Sequence, residues 1–192
     1  MERSGTRMPA SMTEVSRETI LAGAKFSFEQ VTVRTHAGQT LRRQIVRHPG
    51  SVVILPILHE AGKPTQIVLI RNYRIAPGRV LLELPAGTME PPESAAVCAA
   101  RELEEETGYA AAHVEELASF YTTPGMTDEY MHAFVATGLR LVGQHTEADE
   151  SITVEALGVR EAVSRMDSGE ICDAKTLLVL QWALRRRVIA AD

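Results

Sequence analysis

The stretch from Leu84 to Tyr109, LPAGTMEPPESAAVCAARELEEETGY, decides how the rest of the chain is organised. In it Gly87 is followed by Glu93, then by Arg101-Glu102-Leu103, Glu105-Glu106 and Gly108. From Glu93 onward the residues are good helix formers, and Ala95, Ala96, Ala99, Ala100 and Leu103 recur at three- and four-residue spacing as an apolar stripe. Gly108 stands where a left-handed cap ends a helix. The spacing predicts a helix over residues 92–107, entered from a loop that carries Gly87, Pro91 and Pro92.

Glu102, Glu104, Glu105 and Glu106 crowd the carbonyl end of this helix. A helix end of that polarity favours cations, and like charges one turn apart repel. Arg101 lies one turn before Glu105 and can pair with it. That leaves Glu102 and Glu106, on one face, with no local cation. A hard divalent ion such as Mg²⁺ takes carboxylate oxygens and is usually shared with a substrate phosphate; a solvated acidic face is the alternative. Gly87, without a Cβ, lets the backbone turn sharply and aim a carbonyl such as that of Ala86 at the same ion.

The order Gly87, Glu93, Arg101, Glu102, Leu103, Glu105, Glu106, Gly108 resembles the complete signature of the Nudix hydrolases, eight fixed positions over 22 residues. Only Tyr109 departs, where that family more often has an aliphatic residue. The resemblance implies an α/β/α sandwich and hydrolysis of a diphosphate bond. It implies Glu102 and Glu106 as metal ligands, Glu105 as a further ligand or its hydrogen-bonding partner, and the Ala86 carbonyl as a donor. Arg101 would hold neighbouring carboxylates, and Glu93 would cap or orient the helix start. Mg²⁺ is the expected ion, with Mn²⁺ as an alternative. Glu90 in the loop is a weaker candidate.

Outside this stretch the chain of 192 residues is long enough for one sizeable core with an appendage. Its net charge of −5, with both signs mixed, argues against a broad nucleic-acid surface. Cys98 and Cys172 are too few for a disulfide scaffold, and Cys98 falls in the Ala-rich part of the helix as a small buried hydrophobe. No apolar run reaches membrane-spanning length and no signal-peptide core is present, so a cytoplasmic location is expected. The six histidines show no paired ligand spacing, which argues against zinc.

Residues 1–17 are polar and aperiodic and read as a loosely ordered tail. Residues 18–48 form a β-rich module: Phe26 and Phe28 alternate, Val31 and Val33 alternate in a new phase, and Leu41 to Arg47 follows the turn at residues 36–39. Residues 49–192 make the main domain. SVVILPIL, QIVLIRNYR and RVLLELPAG read as core strands before the acidic helix. Val114 to Tyr121, Tyr130 to Thr137 and Ile152 to Leu157 read as strands after it, with helices over residues 160–166 and 174–187. A mixed sheet with helices on its faces is the α/β/α sandwich the resemblance also implies.

A second resemblance bears on substrate. Thr122 to Glu129, with Pro124 sixteen residues beyond Gly108, is similar to the downstream signature of the ADP-ribose pyrophosphatases within that family. Arg71-Asn72-Tyr73-Arg74, Leu82 to Gly87 and the Asp173-Ala174-Lys175-Thr176 helix start agree with it. It implies a nucleoside diphosphate sugar as substrate, ADP-ribose first, with GDP-mannose or UDP-glucose as rivals and a non-cleaving sensor of the same fold as a further alternative. Arg74 would contact the diphosphate or ribose, or would pair with Glu83, itself a candidate substrate contact. Asp128 and Glu129 would contact sugar hydroxyls, or would close the turn after Pro124. Glu150 is the first choice for a general base in the loop GQHTEADES, with Glu147 and Asp149 as alternatives. Relatives of this kind pair as homodimers through the N-terminal module, where Arg42, Arg43 or Arg47 would reach a neighbour's site. No membrane or nucleic-acid partner is expected.

Overall fold

Met12–Ala22 (β1), Ser27–Thr35 (β2) and Thr40–Arg47 (β3) form an antiparallel sheet with β2 in the middle. The computed structural model describes residues 12–145 and 152–191. The chain divides into two units, one containing the residues up to Pro49 together with Tyr121–Glu129, the other Gly50–Phe120 with Tyr130 onward. The boundary near residue 49 follows the change in sequence texture, but the turn containing Pro124 clusters with the N-terminal sheet.

Strand β1 corrects the expected tail, because its first residues lie at positions 12–17. Its pairing with β2 shifts register between Glu14 and Ser16 and again between Thr19 and Leu21. Each bulge flips the side-chain phase, so the apolar alternation that marks a strand is broken twice in eleven residues. Glu29 on β2 receives Arg17 at 2.7 Å, and Arg47 on β3 binds Asp128 at 2.7 Å. The Tyr121–Glu129 segment is hydrogen-bonded to β3 through Val46 N–H to Met126 O at 2.9 Å and Asp128 N–H to Val46 O at 3.2 Å.

The second unit continues with Ser51–Leu58 (β4), Gln66–Arg74 (β5), Arg79–Glu83 (β6), Ala86–Thr88 (β7) and the helix Ala95–Thr107 (α1). Then come Tyr109–Ala110 (β8), His113–Tyr121 (β9), Tyr130–Thr137 (β10), Arg140–Leu141 (β11) and Ile152–Gly158 (β12). The helices Val159–Asp167 (α2) and Ala174–Arg185 (α3) follow. The main sheet runs β12-β5-β4-β10-β9, with β6 paired to β5 and β7 to β4. Strands β4 and β10 are parallel, while β5 is antiparallel to both β4 and β12.

Every residue of β4 is buried, as a strand covered on both faces requires. Val53, Leu55 and Ile57 enter one core with Val159 and Met166 of α2 and Val179 and Leu180 of α3. Val52 and Ile54 enter another with Cys98, Ala99 and Leu103 of α1. The sandwich expected from the sequence is the fold observed. One predicted strand divides in two: RVLLELPAG changes neighbours between β6 and β7, and at the crossover Leu84 N–H donates to Thr176 Oγ1 at 2.9 Å instead of to a strand.

Candidate active site

Helix α1 begins at Ala95, three residues later than expected, because Ser94 is its cap and accepts from Val97 N–H at 3.4 Å. It ends on Gly108 at φ 74°, whose N–H reaches Glu104 O at 2.8 Å. Cys98, Ala99 and Leu103 bury the stripe of small residues against β4. That contact fixes the helix's rotation and turns Glu102 and Glu106 toward β7.

The glycine of the loop is required by contact. A Cβ on Gly87 would lie 1.9 Å from the Glu102 carboxyl carbon, so this carboxylate lies directly on the bare Cα. Pairing of Val52 with Gly87 and Val53 with Ala86 holds the loop against β4. Glu106, only 2% exposed, accepts from Ala86 N–H at 2.8 Å through Oε2. Ala86, Gly87, Glu102 and Glu106 thus meet at one place.

Arg101 has a wider role than the sequence suggested. It bonds Glu105 at 2.8 Å as expected, but the same Nη1 also bonds Glu102 at 2.8 Å, so Glu102 does have a local cation. Its Nη2 reaches Glu93 at 2.9 Å and Thr88 O at 3.4 Å. Glu93 therefore does not cap the helix. It accepts from Arg101 and from Glu90 N–H at 2.7 Å, tying the loop to the helix. The Arg101 hydrogen bond pulls the Glu93 carboxyl down to about 2 from its ordinary 4.5, against burial. Glu93, Glu102 and Glu105 in turn hold the Arg101 guanidinium above its usual range.

On the other side of the loop Glu83 is fully buried, and each of its oxygens has a cation. Arg74 Nε and Nη2 both reach Oε1 at 2.8 Å, and Lys175 Nζ reaches Oε2 at 2.7 Å. Of the two alternatives for Arg74, the pairing with Glu83 is the one seen. Glu83 is sequestered in this cluster and offers no surface for a direct substrate contact. Burial depresses Arg74's pKa, yet the charge and hydrogen bond of Glu83, with further attraction from Glu106 and Asp173, raise it above the ordinary value. The sequence marked Asp173 to Thr176 as a helix start agreeing with the second resemblance; the contacts of Lys175 with Glu83 and of Thr176 with Leu84 carried no local signal, since those partners lie 92 positions away.

The segment after β11 closes the carbonyl end of α1. Gln144 Nε2 donates to Glu106 O at 2.7 Å and His145 N–H to Glu105 O at 3.1 Å. Glu147, Asp149 and Glu150 lie outside the described residues. Pro124 and Glu129 belong to the other unit, where Pro124 is exposed and Glu129 accepts from Thr122 Oγ1 at 2.7 Å and closes the turn. Asp128 there binds Arg47 and accepts from His48 N–H at 2.9 Å.

Among the described residues no three His, Cys, Asp or Glu side chains form a ready-made metal cage. The donor set nevertheless fits a hard divalent ion that keeps part of its water shell: two carboxylates one turn apart and a cradle at Gly87 that a Cβ would fill.

The comparisons with known proteins agree with this geometry. The NUDIX domain model matches residues 47–177. The chain is 34% identical over 180 residues to an ADP-ribose pyrophosphatase of Bacillus subtilis (strain 168), covering 93% of this chain and 95% of that protein. It is 31% identical over 189 residues to a GDP-mannose pyrophosphatase of Cronobacter sakazakii (strain ATCC BAA-894), covering 92% and 97%. A crystal structure of an ADP compounds hydrolase superposes with a TM-score of 0.77 at 22% identity, covering 95% of this chain and 97% of its own, and supports the fold. The chain belongs to the Nudix family and is a pyrophosphohydrolase of that family, whose members generally use divalent metal ions.

Two outcomes follow from the contacts around Arg101 and Gly87. Gly87→Ala displaces the end of the flexible Glu102 side chain and leaves the core alone. Its melting temperature without metal should stay near wild type, while the stabilisation by added Mg²⁺ shrinks and kcat/KM falls about 100-fold, as for a misplacement of about 1 Å. Thermal scans with and without the ion check this. Glu93 has a depressed folded-state pKa, so its contribution is full above about 4.5 and is lost as pH falls through about 2. Glu93→Gln should cost about 1.5–3 kcal/mol at neutral pH and flatten the stability profile across that window, as read by urea unfolding.

Proposed function

We propose that this chain hydrolyses the diphosphate bond of a nucleoside diphosphate sugar with a divalent metal ion, ADP-ribose being cleaved to AMP and ribose 5-phosphate. The observation that carries this reading is the meeting of Glu102, Glu106 and the Ala86-Gly87 backbone. Similarity along nearly the whole chain to a protein named ADP-ribose pyrophosphatase supports the substrate. GDP-mannose is the second reading, favoured by the 31% identity to a GDP-mannose pyrophosphatase.

Glu102, Glu106 and the Ala86 carbonyl would hold Mg²⁺, or Mn²⁺ in its place. When bound, such an ion lowers the pKa of its water and offsets charge on the diphosphate oxygens. Arg74 presents a guanidinium to those oxygens, the group best shaped for them. Arg101 keeps Glu93, Glu102 and Glu105 in fixed positions, so the carboxylates do not reorganise as charge shifts. Glu105, held by Arg101, is a further ligand or orients one. Glu150, or else Glu147 or Asp149, takes the proton of the attacking water.

We place the enzyme in the cytoplasm, in keeping with Cys98 and Cys172 as free thiols, and as a homodimer. Strand β1 is exposed along its length, with Val15 at 50%, Ile20 at 52% and Leu21 at 66% exposure, and Phe26 beside it. Such an edge invites a second copy. Gel filtration at assay concentration should give twice the 21.0 kDa of one chain; a monomer overturns the assignment.

The decisive assay measures kcat/KM for ADP-ribose, GDP-mannose, UDP-glucose and NADH in excess Mg²⁺ by released monophosphate. ADP-ribose should lead, and Glu106→Gln should lower kcat by orders of magnitude with the fold intact. A lead for GDP-mannose selects the second reading. Binding without turnover of any of them would identify a sensor.

A further inference from the structure

Glu83 is a fully buried carboxylate that the chemistry above does not itself use, and its surroundings are unusually specific. Arg74 meets it through Nε and Nη2, both on Oε1 at 2.8 Å. A guanidinium facing a carboxylate alone favours the fork in which its two N–H groups reach two oxygens. Instead both groups converge on Oε1, and Lys175 Nζ takes Oε2 at 2.7 Å, where its positive charge disfavours a second cationic donor on the same oxygen.

Lys175 is itself held. Its ammonium also touches Asp173 Oδ2 at 3.0 Å, and that carboxylate caps α3 by accepting from Thr176 N–H at 3.0 Å. Thr176 Oγ1 donates to the same carboxylate at 2.6 Å and accepts from Leu84 N–H at 2.9 Å. The start of α3 is therefore joined to the chain two residues before Ala86, and the ammonium cannot drift from Oε2 without disturbing the cap.

We propose that Lys175 is a positioning residue of the active centre: by occupying Glu83 Oε2 it keeps Arg74 off the two-oxygen fork and fixes the guanidinium in the orientation that receives the substrate's diphosphate. This rests on the function proposed above. Without the ammonium, Arg74 turns to chelate both oxygens of Glu83 and is withdrawn from the ligand. The loss appears in binding of the diphosphate more than in the chemical step.

The test is a double-mutant cycle with Lys175→Met, Arg74→Gln and the double variant, plus Lys175→Arg as the charge-keeping control. KM and kcat are measured for the nucleotide sugar the wild type hydrolyses best, and Kd for ADP by calorimetry in excess Mg²⁺. Lys175→Met should raise KM and Kd about tenfold, leave kcat within about threefold, and add little to Arg74→Gln, while Lys175→Arg recovers most of the loss. Unchanged KM and Kd, or a loss that simply adds to that of Arg74→Gln, would overturn the proposal. So would a fall in kcat and melting temperature with KM held. If Lys175→Met does not fold, Lys175→Gln enters the same cycle. If the wild type hydrolyses no nucleotide sugar, the functional reading fails, and the ADP cycle still decides for or against the clamp.

Discussion

Four glutamates in the last turns of one helix repel each other and oppose the helix dipole, and this end of α1 is tenable because Arg101 absorbs that conflict. Its guanidinium bonds Glu93, Glu102, Glu105 and the Thr88 carbonyl at once. A planar fork with five donors can do this where an ammonium on a flexible stem cannot. The same bonds join loop and helix: Thr88 and Glu93 lie before α1, Glu102 and Glu105 within it. Charge neutralisation and the placing of the Gly87 loop are thus one interaction. Everything downstream of it, from the Glu102 cradle to the Ala86 hydrogen bond on Glu106, assumes that the loop stays there.

On the opposite flank the Glu83 cluster uses a different principle. Glu83 is fully buried and Lys175 and Asp173 mostly so, while Arg74 stays 38% exposed; charges out of water are costly unless each has a partner, and Glu83 has two and Lys175 has two. Burial pushes the Asp173 carboxyl up, but Lys175 and the Thr176 hydrogen bonds outweigh it and hold it below its ordinary value. Removing Lys175 leaves Glu83 with Arg74 and Asp173 with the Thr176 hydrogen bonds, so the cost falls below the about 3–5 kcal/mol of a buried charge left with no partner. The cluster is therefore a rigid reference for Arg74, and it ties the third layer of the sandwich to the loop.

Much of this was legible in the sequence because it is local. The apolar stripe of α1, its glycine cap, the unbroken hydrophobicity of β4 and the Arg101–Glu105 pair all depend on residues a few positions apart. What escaped depends on distance or on broken periodicity. Two bulges hid β1. Ser94, not Glu93, caps α1, which changes Glu93 from a helix cap into the anchor of Arg101. Arg101 reaching the adjacent Glu102 is set by a side-chain rotamer that spacing does not encode. Lys175 meets Glu83, Thr176 meets Leu84, and Gln144 meets the Glu106 carbonyl only after the sheet has assembled.

Strand β4 is a wall shared by two interiors. Its even-numbered residues Val52 and Ile54 support the helix that carries the glutamates, and its odd-numbered residues Val53, Leu55 and Ile57 support the layer of α2 and α3. Neighbours along the chain thus answer to different demands. Variation at even positions reaches the seat of α1, whereas variation at odd positions meets α2 and α3 and also Ala86, which packs against the same core. Alternation along one strand thus lets the seat of α1 and the packing of α2 and α3 be set by different residues.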